Sequence, residues 1–254
     1  MTELDTSKPY CVIPARYEST RFPGKPLVPL LGTPMILWVA RACATAFGTN
    51  QVIVATDDQR IANVVREAGF RPEWTSSRAL TGTDRVAEVA VRLGGKTIVN
   101  VQGDEPLVSP EDIRHVVGAH QKQPDLVTNG FAPIGPDEDP TRLTIPKVVL
   151  SQSCRLLYAS RAPVPGSKSL DDDGGLFLKQ VCIYAYSVSQ LTAFIKNSTK
   201  TPLELREDIE ILRFLEIGQA VQMVRTETPS IAVDEPKDAE IAEKIMRGRG
   251  LKPH

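Results

Sequence analysis

The 254-residue chain is short of several features that would fix its function quickly. Thirty Lys and Arg balance 31 Asp and Glu to a formal net charge of −1, so nothing suggests broad attraction to nucleic acid or to a membrane surface. No apolar run approaches the roughly 20 residues that span a bilayer. The polar, acidic residues 1–8 do not read as a signal peptide, which leaves a cytosolic protein as the expectation. Its four cysteines (Cys11, Cys43, Cys154 and Cys182) form no CxxC pair, which argues against a zinc site or a disulfide frame. No G-x-x-x-x-G-K-[ST] occurs, because Ala90 stands where the first glycine should precede Gly95-Lys96-Thr97. No G-x-G-x-x-G follows a predicted strand either. A nucleotide bound here must have its phosphates held by side-chain cations and loop amides.

What is present is an ordinary globular composition, 41% hydrophobic and 24% charged, at a length that suits one large α/β domain. Strands are predicted at 10–13, 51–56, 71–74 and 97–102. Helical patterns lie between and after them at 35–47, 58–68, 84–93 and from 110 onward. This alternation argues for a mostly parallel sheet with helices on both faces. The second half is less regular. Paired strands are expected at 147–150 and 156–160, and a strand at 179–187. A long helix is expected from the Thr201-Pro202-Leu203-Glu204 capping box to about residue 215, then a strand at 221–224 and a closing helix at 236–246. A glycine-ended polar loop at 171–175 lies inside a smaller β-rich lobe, about 133–190, inserted into one domain spanning 1–254.

Chemistry concentrates at predicted strand ends. Residues 14–27, PARYESTRFPGKPL, follow the first strand and put Arg16, Arg21 and Lys25 on one short loop. Three cations so close repel unless an anion sits among them. In open α/β sheets ligands bind at the carboxyl edge, where such a loop lies. Residues 100–106, NVQGDEP, end the 97–102 strand with Gly103 and set Asp104 and Glu105 at the same edge, where an acid can hold a divalent cation. Asp234 follows the apolar residues 231–233 at another strand-to-helix junction. Two carboxylates, a hard divalent cation such as Mg²⁺ and a cationic loop would make a nucleotidyl-transfer site. The turn 80–85, LTGTDR, offers amides and hydroxyls for a base edge, a weak signal because helix caps look alike.

In this order and spacing, PARYESTRFPGKPL, TGTDR, NVQGDEP, YASRAPVP, TPLE…EILRFLEIG and AVDEP resemble the 3-deoxy-manno-octulosonate (Kdo) cytidylyltransferases, from about residue 9 to 246. The resemblance implies a Rossmann-like nucleotidyltransferase fold and a Mg²⁺-dependent transfer of CMP from CTP to a sugar acid, with release of pyrophosphate. It further implies lipopolysaccharide or capsule synthesis and a homodimer, with neither nucleic-acid binding nor membrane insertion. Carried over by motif, Lys25, Arg21, Asp104 and Asp234 are the catalytic set. Asp104 and Asp234 are the metal ligands. CTP would lie against Pro14, Ala15, Arg16, Arg21, Lys25, Thr81, Gly82, Thr83, Arg85 and Gln102. The sugar would meet Gln102, Arg161, Gln180, Tyr186 and Glu207.

Three positions depart from the family pattern. Ala79 stands where a histidine often precedes the Ser-Gly-Thr turn, Gln180 replaces another common histidine, and Ala185 replaces a glycine. A neutral amide reads a different group from an imidazole. The sugar therefore stays open between Kdo and another 2-keto-3-deoxy acid of amino-Kdo or sialic type. A non-catalytic CTP-binding homologue is the remaining alternative.

Overall fold

The computed structural model describes residues 3–18, 22–135, 138–168, 177–196, 199–228 and 230–252. The first part of the chain alternates as β1 (Tyr10–Ala15), β2 (Pro29–Leu30), β3 (Thr33–Pro34), α1 (Met35–Phe47), β4 (Val52–Thr56), α2 (Gln59–Glu67) and β5 (Arg71–Trp74). It continues through α3 (Gly82–Leu93), β6 (Ile98–Val101), α4 (Pro110–Lys122) and β7 (Val127–Pro133). The remainder is β8 (Lys147–Leu150), β9 (Leu156–Ser160), β10 (Leu178–Tyr186), α5 (Val188–Ile195), α6 (Pro202–Glu207), α7 (Ile211–Glu216), β11 (Val221–Arg225) and α8 (Pro236–Gly248).

The main sheet runs β11-β7-β10-β6-β1-β4-β5, with β8 and β9 attached beside β10. Along that path only β10 is antiparallel to its neighbours, so the sheet is mostly parallel, as the sequence predicts. Successive side chains of a strand point to opposite faces. Tyr10 and Val12 of β1 accordingly join the core beneath α3, α5 and α7, whereas Cys11, Ile13 and Ala15 join the core beneath α1, α2 and α4. Burial on both faces explains why these strands read as unbroken apolar runs. A two-stranded β2–β3 hairpin stands apart. Among the described residues no helix is long and apolar enough to cross a membrane.

Several expectations need correction. The single helix predicted from 202 to 215 is two, because Asp208 adopts a left-handed conformation (φ 52°, ψ 47°) that ends α6. Aspartate tolerates this region better than most residues, and helical periodicity does not register it. The 133–190 lobe contributes β8 and β9, but β10 lies in the centre of the main sheet between β7 and β6. Strand β7 and helix α5 were not anticipated. Gly130 and Pro133 disguise β7, and α5 is announced only by its Ser187–Gln190 capping box. The polar loop expected at 171–175 lies outside the described residues.

Candidate active site

β1 and β6 are parallel neighbours, and the segments leaving their carboxyl ends wall a cleft of about 1040 Å³. Two glycines let these segments pack. A Cβ on Gly103 would lie 2.9 Å from the Pro14 carbonyl oxygen and 3.1 Å from Ile36 Cδ1. A Cβ on Gly82 would lie 2.9 Å from both amide atoms of Gln102 and 3.2 Å from Pro14 Cγ. Only bare glycine backbone brings the β6 turn and the start of α3 this close to the end of β1.

Lys25 begins a 3₁₀ turn behind Gly24, which takes φ 71°. Its Nζ donates to Asp104 Oδ2 at 2.7 Å and to Asp234 Oδ1 at 3.4 Å. The chain around Asp234 is fixed by the Val233 amide, which donates to the Asp104 carbonyl at 2.9 Å. Asp238 adds to this by accepting from the amides of Asp234 and Glu235 at 3.1 and 2.9 Å. Burial would lower the Lys25 pKa, but the two carboxylates outweigh it and hold the ammonium above the ordinary lysine range. A cation thus already sits between two hard oxygen donors. Among the described residues no group of three or more His, Cys, Asp or Glu side chains converges. A divalent ion here would need further oxygens from its ligand, the habit of Mg²⁺ with phosphates.

Glu105, beside Asp104, is 4% exposed and accepts from the Ser230 hydroxyl. Burial pushes its pKa up to about 7, the Ser230 bond opposes the rise, and the neighbouring Asp104 adds to it. Lys179 and Glu138 form a second, partly buried ion pair at 2.7 Å on the cleft wall.

At the start of α3 the amides of Gly82 and Thr83 donate to Glu210 at 3.0 and 2.8 Å, and the Thr83 hydroxyl donates to it as well. Burial raises the Glu210 pKa, and these three donors work against the rise. Arg85 touches the cleft, yet its guanidinium is held by Thr75 and by Asp57 at 3.1 Å.

The cytidylyltransferase family model matches residues 10–226. A 3-deoxy-manno-octulosonate cytidylyltransferase of Geobacter metallireducens is 41% identical over 253 residues, covering 93% of this chain and 97% of that protein. One of Syntrophotalea carbinolica is 40% identical over 246 residues, covering 93% and 98%. A solved CMP:2-keto-3-deoxy-manno-octonic acid synthetase complexed with CTP matches with a TM-score of 0.86 at 32% identity, over 96% of this chain and 100% of that one. The chain belongs to the 3-deoxy-manno-octulosonate cytidylyltransferase family.

Of the residues expected at this cytidylyltransferase-family site, Pro14, Ala15, Arg16, Lys25, Thr81, Gly82, Arg85, Gln102, Asp104, Arg161, Gln180 and Asp234 share the cleft wall. Arg21 lies outside the described residues. Three others are placed differently. Thr83 is fully buried, with its hydroxyl turned to Glu210. Tyr186 pairs with Ile98, the first residue of β6, far from the carboxyl edge, and its ring packs on Phe214 at 5.2 Å. Tyr184, nearer the edge, lines the cleft in its stead. Glu207 accepts from Ser160 Oγ and the Arg161 amide, both at 2.8 Å, and so ties α6 to β9. Burial opposes its ionisation, but those donors hold it below the usual glutamate range. Arg161 lines the cleft while donating to the carbonyls of Glu207, Leu143 and Asp208 at 2.6, 2.6 and 2.8 Å. Sequence reading passed over Glu210, Tyr184 and Lys179 as site residues. Glu105 it placed beside Asp104 at the carboxyl edge, where the structure turns its carboxyl to Ser230.

Proposed function

We propose that the protein transfers CMP from CTP to the anomeric hydroxyl of 3-deoxy-manno-octulosonate, giving CMP-Kdo and pyrophosphate. The observation that carries this reading is Lys25 held between Asp104 and Asp234 at the sheet's carboxyl edge, in a chain whose relatives bear that activity in their names. The hydroxyl oxygen bonds to the α-phosphorus, the bond from that phosphorus to the bridging oxygen breaks, and the hydroxyl proton leaves. Lys25, with Arg16 and Arg21, grips the triphosphate and offsets charge on the departing pyrophosphate. Asp104 and Asp234 hold Mg²⁺, which when bound lowers the pKa of the attacking hydroxyl and neutralises phosphate charge. Pro14, Ala15, Thr81, Gly82 and Gln102 shape the nucleotide end. Arg85 braces it through Asp57 and Thr75. Among the described residues three of the five Arg161 N–H groups donate to carbonyls and the Asp208 carboxylate lies 3.9 Å from Nη2, and the two remaining N–H groups would meet the sugar carboxylate.

The product suits lipopolysaccharide or capsule synthesis. Four free thiols suit the reducing cytoplasm. A homodimer would cover Leu143, Leu157 and Leu205, which are 66%, 59% and 68% exposed. The test is pyrophosphate release from CTP and Mg²⁺ across a panel of 2-keto-3-deoxy sugar acids. Kdo should turn over fastest, and Asp104→Asn or Asp234→Asn should lower the rate by about 100-fold or more in a folded protein. CTP binding without turnover of any acid would instead favour a non-catalytic homologue.

A further inference from the structure

Gln180 lines the cleft from the centre of the main sheet, and its Nε2 donates to Asn129 Oδ1 at 2.9 Å. Asn129 belongs to β7 and is fully buried. It sits beside an irregularity in β10, where pairing with β7 passes from Val181 directly to Tyr184. There its Nδ2 donates to the Val181 and Ile183 carbonyls, each at 2.9 Å. An amide oxygen cannot replace the nitrogen in these two bonds, because carbonyls only accept. The orientation of Asn129 is therefore fixed by backbone, and its Oδ1 must face Gln180. Gln180 must then turn its own nitrogen to Asn129. Asn129 takes one Nε2 hydrogen, and among the described residues no hydrogen bond is made to Gln180 Oε1, so this orientation leaves the oxygen as an open acceptor on a residue that lines the cleft.

We infer that Asn129, which touches no substrate, is a positioning residue that locks the polarity of Gln180, so that this point of the sugar pocket demands a hydrogen-bond donor. The class of group read is a hydroxyl or an ammonium on the sugar acid, and a group that only accepts is rejected. This deepens the cytidylyl-transfer reading above and rests on it. A free glutamine amide turns over to suit donor or acceptor alike, whereas a locked one discriminates.

The test uses the full-length protein with CTP, Mg²⁺ and Kdo, alongside Kdo analogues in which one hydroxyl at a time, never the reacting anomeric one, is replaced by fluorine, which donates nothing. In the wild type, one replacement should raise the KM for the sugar about 10–100-fold, with the KM for CTP as control. In Asn129→Ala the freed amide can present Nε2, and that ratio should fall below about threefold. Where Asn129→Ala does not fold, two substitutions of Gln180 decide. Gln180→Met should abolish the discrimination. Gln180→His should keep it at pH 8, donating one ring N–H to Asn129 and offering the bare nitrogen. It should then lose discrimination below about pH 6, as the ring charges. An unchanged ratio in Asn129→Ala or Gln180→Met, or a wild type indifferent to every fluorine, would overturn the inference alone. No pyrophosphate release with any acid would overturn the parent reading and this inference with it.

Discussion

Replacing Lys25 with methionine keeps most of the side-chain volume and removes the charge that bridges Asp104 and Asp234. Two unit charges about 4 Å apart interact by about 4 kcal/mol at an effective dielectric near 20 and about 1 kcal/mol in bulk water. The side chains of Lys25, Asp104 and Asp234 are 17%, 25% and 18% exposed, which places the pairs between these limits. The expected loss is about 1–3 kcal/mol, or roughly 2–10 °C in melting temperature for a chain of this size. The raised pKa of Lys25 gives the pH dependence a definite sign. Its stabilisation is fully present below the ordinary lysine pKa of about 10.4 and fades only as pH rises through the higher folded value. The deficit of Lys25→Met should hold from neutral pH to that range and shrink above it. With the ammonium gone, Asp104 and Asp234 lose their shared cation, so Mg²⁺ should raise the melting temperature of the variant by several degrees more than that of the wild type. Pyrophosphate release should fall about 100- to 1000-fold. Thermal melts of both proteins with and without Mg²⁺ decide the matter. Equal melting temperatures, or equal Mg²⁺ shifts, would refute the electrostatic account of this site.

Three further outcomes follow from the packing and charges around the cleft. Gly82→Ala puts a methyl 2.9 Å from the Gln102 amide and should displace the start of α3, costing about 1–3 kcal/mol and raising the KM for CTP about tenfold; unchanged CTP kinetics would contradict this. Glu105 carries a folded pKa of about 7, above its unfolded value, so its stabilising effect is lost as pH rises from about 4.5 to 7. Glu105→Gln should therefore gain up to about 3 kcal/mol on the wild type at pH 8 relative to pH 5, and melts at the two pH values that moved in parallel would contradict it. Arg213 is fully buried and donates to Glu204 at 2.6 Å and Asp84 at 2.7 Å. Arg213→Met leaves the fully buried Glu204 charge unpaired and should cost about 3–5 kcal/mol in denaturant unfolding, part of which Glu204→Gln should restore.

The legible parts of the fold and site share a physical cause. β1 and β4 are buried on both faces and appear as nearly continuous apolar runs, and β6 does so apart from the buried Asn100. The loops after β1 and β6 follow from Gly24, Gly103 and the charges beside them, all local in sequence. β7 was hidden because Gly130 and Pro133 disguise its pattern, and the αL break at Asp208 because helical periodicity does not register one left-handed residue. Tyr186 and Glu207 read as site residues from their motifs, yet strand register buried one and the Ser160–Arg161 contact occupied the other.

The sequence by itself determined an α/β sheet, a cationic loop at its carboxyl edge and Asp104 just past a strand end, since periodicity, turn chemistry and charge are properties of short segments, whereas the strand expected at 231–233 before Asp234 is irregular chain. Only the tertiary structure decided that Lys25 stands between Asp104 and Asp234, that Glu210 occupies the amides at the start of α3, and that Asn129 fixes which atom Gln180 shows the cleft. Those are contacts between residues 51 to 209 positions apart, and no local rule of chain geometry brings such residues together.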